Sequence, residues 1–169
     1  MVFKYTIKYS LFKEEVRMTT IFNVAAYILE LTGTVTTMKL QKLAYYSQAY
    51  CLATTGNPLF CENFQAWRNG PVAPTLFSRH RGKFLIRKGE INLSDIEQSD
   101  SNILTDDQKR IIEKVCDKFG AYTGSQLSER THKESPWSDL REGVDDSAVC
   151  SKVITKDSLK EYYTRNPLF

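Results

Sequence analysis

The sequence has 169 residues, of which 41% are hydrophobic and 25% are charged, and its formal net charge is +3. This length favours one compact domain, and this composition is typical of a folded globular protein rather than a disordered chain. A net charge of +3 is too small to indicate nucleic-acid binding by itself. No apolar run approaches the roughly 20 residues that cross a bilayer, and no secretory signal is visible, so the sequence predicts a cytoplasmic protein without membrane contact.

The first 17 residues have a different pattern from the rest of the chain. Apolar and polar residues alternate from Phe3 to Leu11, and a period of two is typical of a β-strand. Two interpretations remain open, an added strand or a peripheral extension. We predict an N-terminal extension over 1–17 and a single domain over 18–169.

Two helices are predicted next. Apolar residues recur at helical spacing from Thr20, and Gly33 supplies a stop. A longer helix begins near Thr37 and ends at Gly56-Asn57-Pro58. The predicted apolar face of this second helix consists of Leu40, Leu43, Ala44, Ser47, Tyr50 and Cys51. We predict that these two helices form a packed central pair.

The pattern after Pro58 predicts a small β element. Its parts, in chain order, are a strand within Leu59 to Arg68, a turn at Asn69-Gly70-Pro71, a short helix from Pro74 toward His80, a second strand within Phe84 to Leu93, and a loop from Ser94 to Asn102.

Helical signals return in the last third of the chain. Thr105 and Thr123 are each followed three residues later by Gln, which matches a capping box. Ser135-Pro136 predicts another helix start, and Thr155 predicts the last one. The predicted fold class is therefore mainly α (α+β), a compact helical domain with a small β-hairpin or sheet inserted after the second helix.

The sequence offers no assembled catalytic or metal site. His132 and Glu134 are a candidate proton-transfer or metal-binding pair. However, the chain has two histidines and four cysteines, and none of them has the spacing of metal ligands. The glycines form no phosphate-binding motif. We therefore predict no catalytic residues, no metal, no cofactor and no enzyme activity, with a structural role for Thr131 to Trp137.

A basic cluster leaves DNA binding open as an alternative. Its residues are Arg79, Arg81, Lys83, Arg87 and Lys88, with Phe84 interleaved. The first two helices also fit the outline of a helix-turn-helix. The second helix carries only Lys39 and Lys42 near its start, so its pattern favours a core helix. Any DNA binding is expected to be weak and salt-dependent.

Three stretches together resemble one known family. They are Lys39-Leu40-Gln41-Lys42-Leu43-Ala44-Tyr45-Tyr46-Ser47-Gln48-Ala49, Phe64-Gln65-Ala66-Trp67-Arg68-Asn69-Gly70-Pro71-Val72-Ala73-Pro74 continuing to Leu76-Phe77, and Leu127-Ser128-Glu129-Arg130-Thr131-His132-Lys133-Glu134-Ser135-Pro136-Trp137. In this order and spacing they resemble the Panacea domain, also described as SocA-like or phage-associated GepA-like, over about residues 20–140.

The resemblance implies an antitoxin of a bacterial or phage toxin–antitoxin system, which neutralises a cognate toxin protein by direct binding. Two alternatives stay open, a DNA-binding transcriptional regulator and an adaptor that delivers its partner to a protease. The candidate partner-binding residues are Arg68, Asn69, Gly70, Pro71, Val72, Pro74, Arg79 and Arg81, because a rigid Gly-Pro turn loses little entropy on binding. The motif residues with a predicted structural role are Leu40, Leu43, Trp67, Thr131, His132, Glu134, Pro136 and Trp137.

Overall fold

The structure, a computed structural model, describes residues 19–93 and 104–169. The described part is mainly α-helical with a small amount of β-structure, which confirms the predicted fold class. Its helices are α1 Ile21–Thr32, α2 Thr37–Thr55, α3 Pro74–His80, α4 Asp106–Phe119, α5 Gly124–His132, α6 Ser135–Ser138 and α7 Lys156–Arg165. The segment 1–17 and the predicted loop from Ser94 to Asn102 lie outside the described residues.

The predicted helix starts are confirmed by their capping hydrogen bonds. At the starts of α4 and α5, the hydroxyls of Thr105 and Thr123 accept backbone N–H bonds, and a Gln three residues on completes each box. Thr20 caps α1 in the same way, and Thr155 caps α7. These bonds satisfy amides that have no partner inside the helix. At α6 the predicted start differs by one residue, because Glu134 precedes the helix and Ser135 is its first residue.

Helix α2 is the central element of the fold. Helices α1, α4, α5 and α7 and the strand Gly70–Val72 all pack against it. Its buried residues form a nearly unbroken run from Leu40 to Ala49, followed by Cys51 and Leu52. The six residues of the predicted apolar face are buried or half-buried, and burial extends beyond that face because neighbours surround the helix. Helix α1 packs against α2 as expected, and α4, α5 and α7 pack on α2 as well.

The strands of the described residues form two small sheets. Strands β2 Phe64–Trp67 and β3 Gly70–Val72 form an antiparallel hairpin. Strand β5 Val153–Ile154 pairs with the other edge of β2, so the hairpin is the centre of a three-stranded sheet. Strand β1 Val35–Thr36 pairs with β4 Leu85–Ile86 in a separate sheet.

The β-structure corrects three boundaries. The strand predicted within Leu59 to Arg68 is confined to β2, and Pro71 lies in β3 rather than in the turn. The strand predicted within Phe84 to Leu93 has two residues and pairs with β1, not with the hairpin. Such short strands depend on partners far away in the sequence, and local patterns do not reveal them.

Candidate functional site

The three motif stretches meet where α2, the β2–β3 hairpin and the α5–α6 segment touch. The ammonium Nζ of Lys42 donates to the carbonyl oxygen of Pro71 at 2.9 Å. The hydroxyl of Ser128 on α5 donates to the carbonyl oxygen of Asn69 at 2.6 Å. The indole N–H of Trp137 donates to the carbonyl oxygen of Trp67 at 2.8 Å. Side chains from α2, α5 and α6 thus hold the hairpin through its backbone.

Gly70 permits this close packing. Its φ is 97°, in the left-handed region that favours glycine. A Cβ at this position would lie 2.6 Å from Cε of Lys42 and 2.7 Å from the hydroxyl of Thr131. The hairpin therefore lies against α2 and α5 at a distance that leaves no room for a side chain at residue 70.

Glu134 joins the α5–α6 segment to α2 and α7. The carboxylate accepts hydrogen bonds from the hydroxyl of Tyr46 at 3.0 Å, from the hydroxyl of Tyr163, and from Nε of Arg130 at 3.0 Å. Burial raises the pKa of Glu134, and the hydrogen bonds from Tyr163, Arg130 and Tyr46 oppose that rise. Each carboxylate oxygen has a partner, so this contact supports a structural role.

His132, Trp137 and Arg141 form a stack beside the hairpin. The rings of His132 and Trp137 are nearly parallel with centroids 4.0 Å apart, and the Arg141 guanidinium lies 5.5 Å from the Trp137 ring centroid. Arg141 also donates to the carbonyl oxygen of Ala66 at 3.1 Å. Burial lowers the pKa of His132, and the charges of Lys42 and Arg141 lower it further. The stack therefore favours a neutral imidazole.

The other motif residues with a predicted structural role lie mostly inside the fold. Leu40, Leu43 and Thr131 are fully buried, and Pro136 is buried as well. Trp67 is half-buried, and its ring packs edge-on against Phe77 with centroids 5.0 Å apart.

The predicted partner-binding residues have different degrees of exposure. Arg68, Asn69, Arg79 and Arg81 are exposed. Val72 and Pro74 are half-buried, and Gly70 and Pro71 are buried. The part of this set that a partner can reach consists mainly of the turn between β2 and β3 and the basic residues at the end of α3.

A pocket of about 220 Å³ opens between the start of α2, the hairpin and α3. Its lining includes Lys42, Trp67, Arg68, Phe77 and His80; we call it the Lys42 pocket. Lys42 is 1% exposed, and burial lowers its pKa to about 7. Burial also lowers the pKa of His80.

Sequence reasoning missed the burial of Lys42. From the sequence, Lys42 is one of two basic residues near the start of α2. One signal was present, because Tyr45, Tyr46 and Ala49 stand three, four and seven residues further on. That spacing puts Lys42 on an apolar helix face.

Exposed cations flank an exposed aromatic residue in the sequence segment that follows α3. We define the basic surface as Arg68, Arg79, Arg81, Lys83, Phe84, Leu85, Arg87 and Lys88. Phe84 is 77% exposed and Leu85 is 46% exposed. The guanidinium of Arg81 lies 5.6 Å from the ring centroid of Phe77, which lines the Lys42 pocket. The pocket and the basic surface are therefore adjacent. Glu90 pairs with Lys83 at 3.2 Å and compensates part of the charge.

Helix α2 is not available as a recognition helix. Neighbouring elements enclose it, and its two early lysines bond to the protein, Lys39 to the carbonyl oxygen of Gly120 and Lys42 to that of Pro71. A recognition helix needs a free face to enter the major groove. The helix-turn-helix interpretation of α1 and α2 does not fit this arrangement.

No helix within residues 19–93 and 104–169 is long and apolar enough to span a membrane. In the same ranges, no three His, Cys, Asp or Glu side chains lie close enough together to hold a metal ion.

Comparison with known proteins identifies the class of protein. The family described as Antitoxin SocA-like, Panacea domain, matches residues 40–138, which include most of the first motif and the whole of the other two. The chain is also similar to Antitoxin SocA of Caulobacter vibrioides (strain NA1000 / CB15N), with 30% identity over 131 residues, 71% of this chain and 70% of that protein. No solved structure matches the chain.

The chain belongs to the SocA-like antitoxin family with a Panacea domain. This confirms the resemblance found in the three sequence motifs. Family membership supports an antitoxin role, which implies a toxin partner and indicates a non-enzymatic regulator.

Proposed function

We propose that this protein neutralises its cognate toxin by direct binding, and that the basic surface contacts the toxin. The observation that carries the proposal is the exposure of Phe84, which stands among the basic residues of the segment 79–88. A phenylalanine that is 77% exposed gains little from folding, since most of its ring remains in water. It gains much more when a partner covers it.

The composition of the surface also favours a protein partner. Interfaces are enriched in aromatic residues and arginine, and a few such residues supply most of the binding energy. Arg79 lies over the ring of Phe22 on α1, 5.2 Å from its centroid, and Arg81 lies over Phe77 on α3. Both guanidinium groups are thus held against the fold before binding, so less side-chain entropy is lost on association. The complementary toxin surface is acidic, and the complex forms in the cytoplasm.

Co-expression with the toxin encoded by the neighbouring gene tests the proposal. Phe84→Ala and Arg68→Glu are expected to weaken co-purification of the toxin and to restore growth arrest, with unchanged soluble levels of the antitoxin. Both side chains are exposed and contribute little to folding stability, so the variants remain folded. Lys118→Glu is the matched control, because Lys118 is an exposed lysine on α4 outside the basic surface.

The same experiment separates the alternatives. Protection without a detectable complex would refute direct neutralisation and favour control of toxin synthesis. A complex that protects only while a cellular protease is active would favour delivery to that protease. A DNA complex that persists at elevated salt and discriminates sequence would favour a transcriptional regulator.

A further inference from the structure

We infer that the Lys42 pocket is a specificity pocket for one acidic side chain of the partner protein, an inference that rests on the proposed direct binding of a toxin.

Lys42 is a buried lysine whose amine is incompletely paired. Its protonated form has three protons to donate, and among the described residues it makes one hydrogen bond, to the carbonyl oxygen of Pro71. No carboxylate within residues 19–93 and 104–169 lies at salt-bridge distance from it. Burying a charge without an opposite charge is unfavourable. A lysine in this environment therefore has binding capacity that the fold leaves unused.

The lining of the pocket selects the sign of its occupant. Among the residues that the structure describes, the titratable groups that line it are Lys42, Arg68 and His80, all of them bases, without any Asp or Glu. Met38, Trp67, Val72 and Phe77 supply apolar walls. A carboxylate at the end of an aliphatic stem matches both features, because its methylene groups contact the walls while its charge pairs with Lys42.

The size of the pocket favours a side chain over a free small molecule. About 220 Å³ lies below the range of roughly 300–1,000 Å³ that is typical of small-molecule sites. Protein interfaces, in contrast, commonly place one anchoring side chain in a pocket of the partner.

The position of the pocket makes it accessible to a bound toxin. Arg68 and Asn69 belong to its lining and are exposed at the hairpin turn. Arg81 packs on Phe77 at the junction with the basic surface. A toxin that covers Phe84 and these arginines can therefore extend one glutamate or aspartate into the pocket.

The first experiment measures the affinity of the purified toxin, inactivated at its own active site, for variants of the antitoxin. Lys42→Met removes the cation, and Val72→Phe fills the pocket from β3 while Lys42 is retained. Each is expected to weaken binding by roughly 30-fold or more, the effect of breaking a buried charge pair. Val153→Phe is the matched control, because it makes the same change at a partly exposed position on β5, away from the pocket. Its affinity should equal that of the wild type.

A second measurement locates the acidic side chain on the toxin. Each Asp and Glu of the toxin is changed to its amide, and the variants are tested against wild-type and Lys42→Met antitoxin. One substitution should weaken binding to the wild type yet have no further effect on binding to Lys42→Met. NMR of the lysine Cε should show that the pKa of Lys42 rises when the toxin binds.

The outcomes distinguish the inference from the proposed function. A failure of the wild-type protein to bind the toxin would refute the proposed function and the inference with it. A toxin that binds the wild type, Lys42→Met and Val72→Phe with equal affinity would refute the inference alone. A Lys42 pKa that rises with millimolar acetate and is unchanged by the toxin would also refute it, since the pocket would then be a site for small anions.

Discussion

Glu134 and Lys42 are two buried ionisable residues that differ in how many polar partners the fold supplies. Glu134 receives hydrogen bonds from Tyr46, Tyr163 and Arg130, which offset part of the cost of burying its charge. Lys42 donates a hydrogen bond to the carbonyl oxygen of Pro71. No carboxylate in the described part of the chain lies at salt-bridge distance from its ammonium. Both residues belong to the family motifs, and both contact the region around α2.

The difference separates two reasons for placing a charged residue in a protein interior. A compensated charge such as Glu134 connects elements, since its partners lie on α2, α5 and α7. An uncompensated charge such as Lys42 reduces stability and persists where a ligand supplies the missing partner. The predictions that follow test this contrast, from the largest expected effect to the smallest.

Glu134→Ala is expected to lower the free energy of unfolding by about 3–5 kcal/mol, because it leaves Arg130 and two buried tyrosine hydroxyls without their acceptor. Urea unfolding followed by circular dichroism measures the loss. Glu134→Gln keeps an acceptor oxygen and should lose clearly less. Equal losses in both variants would show that the negative charge, and not the hydrogen-bond geometry, is what the cluster requires.

The two residues should shift the pH dependence of stability in opposite directions. Burial raises the pKa of Glu134 above 4.5, so its contribution is present below that pH and is lost as pH rises through the folded-state pKa. Burial lowers the pKa of Lys42 from 10.5 to about 7, so the unfolded state binds more protons between those values. Stability due to Lys42 therefore increases with pH above 7, with a slope of at most about 1.4 kcal/mol per pH unit.

Urea unfolding midpoints at intervals from pH 7.5 to 8.5 measure the effect of Lys42 on stability. This pH range lies below 9.0, the usual pKa of the Cys51 and Cys116 thiols. The wild type should become more stable relative to Lys42→Met across this range. Parallel curves for the two proteins would contradict the assignment of a low pKa to Lys42.

Lys42→Met itself should change the stability at pH 7 by only about 1 kcal/mol in either direction. The substitution removes the hydrogen bond to the carbonyl oxygen of Pro71, which destabilises, and it removes the burial of a cation, which stabilises. The variant should nevertheless lose toxin binding. A loss of 3 kcal/mol or more would instead place Lys42 in the same structural class as Glu134.

The sequence predicted the helices well and the neighbours of those helices poorly. Helix starts depend on local contacts, such as the Thr105 hydroxyl bonded to the amide of Gln108, so a short motif reveals them. The pairing of Val35 with Ile86 joins residues far apart in the chain, and no local pattern encodes it.

The contacts within the candidate site also join residues far apart in the chain, so local patterns do not reveal them. The motifs predict roles for Gly70 and for the Thr131 to Trp137 segment. They did not show that Gly70 is in close contact with Lys42 and Thr131, because that contact depends on how three distant stretches pack. A lysine in a helix is usually solvated, so only the enclosure of α2 reveals that Lys42 is buried.

The packing of α7 on α2 has a consequence for the newly made chain on the ribosome. Tyr163 covers Tyr45 and Tyr46, which precede it by more than a hundred residues. At about 5–20 residues per second, translation needs on the order of 10 s to pass from Tyr45 to Tyr163. Throughout that interval Tyr163 is not yet present to pack on Tyr45 and Tyr46. The nascent chain therefore exposes these side chains until α7 has been made.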